Sequence, residues 1–327
     1  VDRSRTTRRT LLRLALGVGL LGVVVVAVDQ LVPGAGRRLG DADPGWLAVA
    51  LVLEVLACLS YGVLFEAVFS RAPWRLPWRR AVEIGVGELG AFAILPTGAG
   101  GPALRLWALR TLEVPWRPII ARSVAHFAVF NLPYIVAAVI LGAGVSLHLL
   151  PGHAPLLTAL APSGIVLVSL ALAAAAALAA RAQRPGERAW RARARYWLAT
   201  IPDGLLDVGP CLRRSRTSLT ALGWWTGDCA ALWAAFQAVG GRPAITVLVL
   251  AYMLGQLGTT LPLPGGVGGV EPLMLGIFAA SRVDLGVAGA AIVCYRVIAL
   301  GSQGVLGALA FSSLATRLRR QAAGASG

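Results

Sequence analysis

The sequence predicts an all-α polytopic membrane protein, with about six full transmembrane helices and two re-entrant broken-helix hairpins arranged as inverted repeats. Three observations predict it. Of the 327 residues, 57% are hydrophobic and only 14% charged, about half the charged share of an ordinary soluble domain. Apolar runs at residues 14–28, 46–69, 119–150, 156–180 and 285–314 approach or exceed the roughly 20 residues that a spanning helix needs. A glycine-rich motif, LPxGxGG, occurs twice, as Leu95-Pro96-Thr97-Gly98-Ala99-Gly100-Gly101 and as Leu263-Pro264-Gly265-Gly266-Val267-Gly268-Gly269.

The formal charge of +15 comes from thirty basic residues, all arginine. They cluster at the ends of the apolar runs, where they set orientation and meet anionic lipid head groups, so nucleic acid is not the expected partner. Membrane phospholipids are. The four cysteines, Cys58, Cys211, Cys229 and Cys294, follow no metal or redox spacing.

Arginine placement orders the elements. Arg3, Arg5, Arg8 and Arg9 precede the run 14–28, which no small-x-small cleavage site follows, so it reads as a retained first helix with the N-terminus cytoplasmic. Residues 1–45 hold that helix and an external loop. Residues 46–150 form the first repeat. Its run 46–69 returns to SRAPWRLPWRR, where Arg71, Arg75, Arg79 and Arg80 mark the cytoplasm. The next apolar stretch, 84–95, has twelve residues; at about 1.5 Å each they reach about 18 Å, little over half of a roughly 30 Å hydrocarbon core. With 103–112 after the first motif, it reads as a hairpin over 84–112 that enters and leaves on one face. The runs 119–150 and 156–180 then cross outward and back.

Residues 151–218 end in an arginine-rich interfacial segment, and 219–314 form the second repeat, with a crossing at 219–239 and a hairpin over 245–281. The tail 315–327 carries Arg317, Arg319 and Arg320, which puts the C-terminus in the cytoplasm too, and a cell-membrane location follows. An odd number of crossings separates the two breaks, so the second hairpin enters from the opposite face. The offset between the motifs also sets Gly87-Glu88 over Gly255-Gln256.

Broken helices in inverted repeats point to a transporter binding site, because unwound backbone in a bilayer is tolerated only where it is buried in protein or lines a wet cavity. Free N–H groups at the start of the following half-helix, together with its dipole, attract an anion. The glycines alternatively serve close helix packing. The candidate substrate-binding residues are therefore Pro96, Gly98, Gly100, Gly101, Pro264, Gly265, Gly266, Gly268 and Gly269, with the ionisable or amide groups Glu88, Arg105, Asp228, Gln256, Glu271 and Arg296.

Each of these has a structural alternative. Glu271 serves substrate or caps its half-helix. Asp228 and Arg296 serve the site or form an interhelical ion pair. Glu54, Glu66 and Arg122 read as interfacial or snorkelling, while His126 and Asn131 read as bonding a neighbouring carbonyl. Between the repeats, Arg105 and Glu271 suggest a purely cationic first break and a second break able to meet an amine.

The chain resembles the flippase-like membrane domain related to lysylphosphatidylglycerol synthases, from about residue 46 to the end. The residues that carry the resemblance are the break leading to Arg105, the segment PGGVGGVE ending at Glu271, and the pair Tyr295-Arg296. Relatives often carry an acidic residue where Pro102 stands, so no acidic role transfers there. The soluble aminoacyl-transferase domain of the full synthases has no counterpart in these residues. The resemblance implies movement of lipids or lipid-linked head groups between leaflets; no cofactor or metal is expected. A non-lipid secondary transporter is the alternative, followed by a membrane enzyme acting on polyprenyl phosphates. Catalysis is not expected, since no Walker motif, metal-ligand spacing or GxSxG is present and no histidine lies near either break.

Overall fold

The computed structural model describes residues 35–94, 100–147, 199–260 and 263–324, with 149, 164 and 174 singly. The expected first helix at 14–28, nearly all of the crossing 156–180, the first half (181–198) of the arginine-rich segment, Pro96 and Gly98 lie outside them. Among the described residues there is no strand, only an isolated bridge between Arg71 and Trp74. The helices are α1 (Ala35–Gly40), α2 (Pro44–Phe69), α3 (Trp78–Ile94), α4 (Gly100–Thr111), α5 (Trp116–Ser146), α6 (Ile201–Leu206), α7 (Val208–Leu212), α8 (Ser215–Ala238), α9 (Ile245–Gly255), α10 (Val270–Ala280) and α11 (Leu285–Gly324).

Among the described residues, three helices are long and apolar enough to cross a membrane, over Pro44–Phe69, Trp116–Leu141 and Leu285–Arg317, which makes the chain a multi-pass membrane protein. Large apolar side chains such as Leu51, Val52, Leu56, Phe127, Ile140, Val305 and Leu309 are exposed on these helices; a hydrocarbon solvent supplies the partner that water does not. α8, at 24 residues, covers the expected crossing at 219–239, but its polar first turns and Asp228 leave it less apolar.

The starts follow local chemistry. Asp43 caps α2 by accepting the Gly45 N–H at 2.7 Å, with Pro44 in the first turn, where its missing donor costs nothing. Asp284 does the same for α11, accepting the Val287 N–H at 2.8 Å. α3 differs from expectation. It starts at Trp78 rather than 84 and has 17 residues, or about 25 Å. Its added turns carry Arg79, Arg80 and Glu83, which hydropathy alone does not read as helix.

Contacts sort the helix ends into two groups. At one end, the Asp43 N–H donates to the Ala238 carbonyl at 2.8 Å and Arg38 meets Asp284 at 3.9 Å. The starts of α2 and α11 and the end of α8 therefore lie together. At the other end, Glu66 pairs with Arg216 at 3.0 Å, Arg117 with Asp203 at 2.8 Å, and Glu83 with Arg317 at 3.5 Å. The start of α3 and the far part of α11 meet there.

α11 is the central element, packed against α1, α2, α3, α8 and α10. Its approach to α3 is a backbone contact: a Cβ on Gly90 would stand 2.7 Å from the Cα of Gly307, closer than any side chain tolerates. At 40 residues, or about 60 Å, α11 is about twice the thickness of a hydrocarbon core.

Candidate functional site

α3 ends at Ile94 and α4 begins at Gly100, on either side of the first motif. Glu88, on α3, and Arg105, on α4, are both buried and form a forked pair. The Arg105 Nε donates to Glu88 Oε2 at 3.0 Å, and its Nη2 donates to Oε1. The guanidinium also lies over the rings of Phe69 and Phe65, 5.4 and 5.8 Å from their centroids. Gly101 lets the hairpin close around this pair, since a Cβ there would stand 2.7 Å from the Glu88 Cγ. The expectation of a purely cationic first break is thus corrected. A carboxylate one arm earlier neutralises Arg105, and the two are brought together because α3 and α4 fold back on each other.

The second break is wider than the motif. α9 stops at Gly255, the chain tightens into a 3-10 turn over Gln256–Thr260, and a second turn occupies Pro264–Gly266. Gly265, Gly266 and Gly268 have φ of 56°, 69° and 85°, a region that residues with a Cβ enter only at a cost. Glu271, in the first turn of α10, reaches back to accept the Gly268 N–H at 2.7 Å. Its other oxygen accepts from the Arg296 Nε at 2.8 Å, and the Arg296 Nη2 donates to the Gly265 carbonyl at 2.5 Å. The carboxylate caps the break and the guanidinium clasps it. Gly269 stands at the N-cap position of α10 without a side-chain bond, and Gly100 opens α4 in the buried interior.

The second break meets the last turn of α3. A Cβ on Gly265 would lie 3.6 Å from the carbonyl of Ala93, in the last turn of α3. The sequence offers no signal for this contact except the repeat itself.

Asp228 does not pair with Arg296. It accepts from the Tyr252 hydroxyl at 2.6 Å and from the Tyr295 hydroxyl at 2.8 Å, and the Gln256 amide in turn donates to Tyr295 at 3.4 Å. Neighbours on a helix diverge by about 100°, so Tyr295 faces Asp228 while Arg296 faces Glu271. Glu54 is a second correction. It is 0% exposed rather than interfacial, and it accepts from the Gln303 amide at 3.1 Å and from the Cys58 thiol at 3.8 Å. Its depth was readable: it lies eight residues, or about 12 Å, inside the apolar run starting at Trp46.

Arg122 is buried, and it ties down the loop after α2 by donating to the carbonyls of Phe69, Arg71, Ala72 and Trp74. Asn131 bonds the Phe127 carbonyl at 2.8 Å, as expected. His126 does not follow that pattern: its Nε2 has no hydrogen-bond partner among the described residues, and its ring sits among Tyr61, Phe65, Phe69 and Phe130. Among the described residues, no group of three His, Cys, Asp or Glu side chains is placed to hold a metal.

Such a site offers two neutral clasps in apolar surroundings. Buried ion pairs are retained only where each charge has its partner.

Comparison with known proteins places these features in context. A family described as the lysylphosphatidylglycerol synthase TM region matches residues 6–307, which span both breaks and the Tyr295-Arg296 pair. A UPF0104 membrane protein of Methanothermobacter thermautotrophicus is 24% identical over 343 residues, covering 94% of this chain and 94% of that protein.

Proposed function

The chain belongs to the family of lysylphosphatidylglycerol synthase transmembrane regions, and from that premise we propose that it is a lipid flippase moving a phospholipid or lipid-linked head group between leaflets. The observation that carries this reading is a buried arginine–carboxylate pair at each motif, one joining α3 to α4 and one holding the second break, which itself packs on the last turn of α3. A lipid phosphate exchanges with the carboxylate for the guanidinium, and an amine on the same head group takes the released carboxylate. Each charge then keeps a partner throughout passage. Amine-bearing or aminoacylated phospholipids fit this exchange best.

Support for inverted repeats comes from where the hairpin arms start and finish. α3 begins beside Arg317, at the end where α2 finishes, whereas α10 finishes just before Asp284, at the end where α2 starts. In a variant freed of native cysteines, single cysteines at Pro73 and Val283 are expected to react with an impermeant maleimide from opposite membrane faces. Reaction of both from one face removes the inverted arrangement.

Transport itself is tested in proteoliposomes with a head-group-labelled phospholipid and an impermeant quencher. Arg105→Ala is expected to slow every phosphate-bearing lipid alike, by about tenfold or more, the scale of one lost charge-assisted pair. Glu271→Gln is expected to slow an amine-bearing lipid more than phosphatidylglycerol. Absence of lipid movement in the wild-type protein overturns the reading: solute flux in its place indicates a non-lipid transporter, and phosphate release an enzyme.

A further inference from the structure

The most extensive helix–helix interface among the described residues, between α2 and α8, holds two carboxyl groups with no described cation between them. Glu54 and Asp228 are 0% and 3% exposed, and their carboxyl groups lie within hydrogen-bonding reach of each other. Donors account for the remaining oxygens. Gln303 and Cys58 donate to Glu54 Oε1, Tyr252 donates to Asp228 Oδ2, and Tyr295 donates to Oδ1. Glu54 Oε2 is buried and, among the described residues, no donor faces it.

The surrounding groups leave that gap open. On α8 the next ionisable neighbour is the Cys229 thiol, and α9 contributes Tyr252. α11 contributes Tyr295 and Gln303, with Arg296 directed to Glu271. From the α3 and α5 sides, Glu88 and His126 meet Tyr61 instead, about two turns further along α2. Two touching carboxylates in apolar surroundings do not both ionise; one proton shared between them removes the repulsion and gives the orphan oxygen its partner. A metal ion does not fit, because donor hydrogens already point at three of the four oxygens and a third ligand of the His, Cys, Asp or Glu type is missing among the described residues.

We propose that Glu54 and Asp228 form a proton-binding site whose occupancy is coupled to the second break. Loading the proton places it on Glu54, with Asp228 held by two tyrosines. Release requires the contact between α2 and α8 to open to water, where both carboxylates ionise and the singly charged pair becomes a doubly charged one. The change reaches the break by two routes: through Tyr252, which lies one turn before the break on α9, and through Tyr295, whose neighbour Arg296 clasps Gly265. A proton gradient is then the source of directed movement. The coupling rests on the flippase reading, while the proton site stands without it.

Two measurements test the pair. In infrared spectra of the purified protein, the C=O stretch of a protonated carboxyl is expected in the wild type at neutral pH, lost in Glu54→Gln and retained in Glu271→Gln. Glutamine keeps the shape and supplies Asp228 with a donor, so the fold is preserved; Asp228→Asn, which lets Glu54 lose its acidic neighbour, is expected to shift the band. A band unchanged in both variants, or one abolished by sodium, overturns the site. In proteoliposomes with an entrapped pH dye, an imposed gradient is expected to speed wild-type lipid movement about tenfold, and to leave Glu54→Gln unchanged. Gradient-dependent movement in Glu54→Gln overturns the coupling. An infrared band without any lipid movement leaves the proton site standing and removes the flippase reading.

Discussion

Arg296→Met is expected to lower stability by about 3–5 kcal/mol, the scale for removing one partner of a buried ion pair. The loss has two sources. Glu271 keeps only the Gly268 N–H and becomes a buried carboxylate without a cation, and the Gly265 carbonyl loses its donor. Methionine replaces much of the arginine stem, so packing changes little. Thermal unfolding in detergent checks the single variant, and a cycle with Glu271→Gln separates the pair from the rest. The double variant is expected to be more stable than Arg296→Met alone, because neutralising the orphan removes most of the penalty. Additive losses would show that Arg296 acts through the Gly265 carbonyl and not through Glu271.

Gly258→Ala is expected to be equally severe, about 3 kcal/mol or more, although it adds one methyl group. That carbon would stand 2.3 Å from the Gly269 carbonyl carbon and the Val270 nitrogen, and both are backbone atoms, so neither can turn aside. The 3-10 turn would have to leave α10, opening the second break. Gly276→Ala is the control. It lies on α10 with nothing within 4 Å of its added carbon, and a gain of about 0.5–1 kcal/mol is expected from helix propensity. Equal behaviour of the two variants in a thermal melt would mean that the turn is not held against α10.

The helices long enough to cross were legible because apolar length and arginine placement are one-dimensional signals. α2 and α5 follow the runs 46–69 and 119–150 closely. The broken segments were legible as breaks but not as shapes. The second begins at Gln256 because Gly258 allows the turn to lie on α10, a contact between residues eleven or more apart that no local pattern records. Pairing was the least legible layer. The sequence contains four buried acids and two buried arginines around the breaks, and several matchings are possible until the packing is known. Arg105 with Glu88 and Arg296 with Glu271 are chosen by which helix faces meet, and Glu54 with Asp228 by the closeness of α2 and α8. Gly258 itself carried no motif, since the repeat LPxGxGG begins after it.

The contact between Gly90 and Gly307 sets the kinematics of the molecule. Two helices whose backbones touch have no intervening side chains to change rotamer, and so no compliant layer in which to slide. α3 and α11 therefore form one stator. In the proposed transport, the stroke falls to the parts that meet them largely through side chains, namely α4 on one side and α9 with α10 on the other. Spin labels on α3 and α11 are expected to hold a single sharp separation under every loading condition, while labels from α11 to α4 or to α9 broaden or divide into two populations.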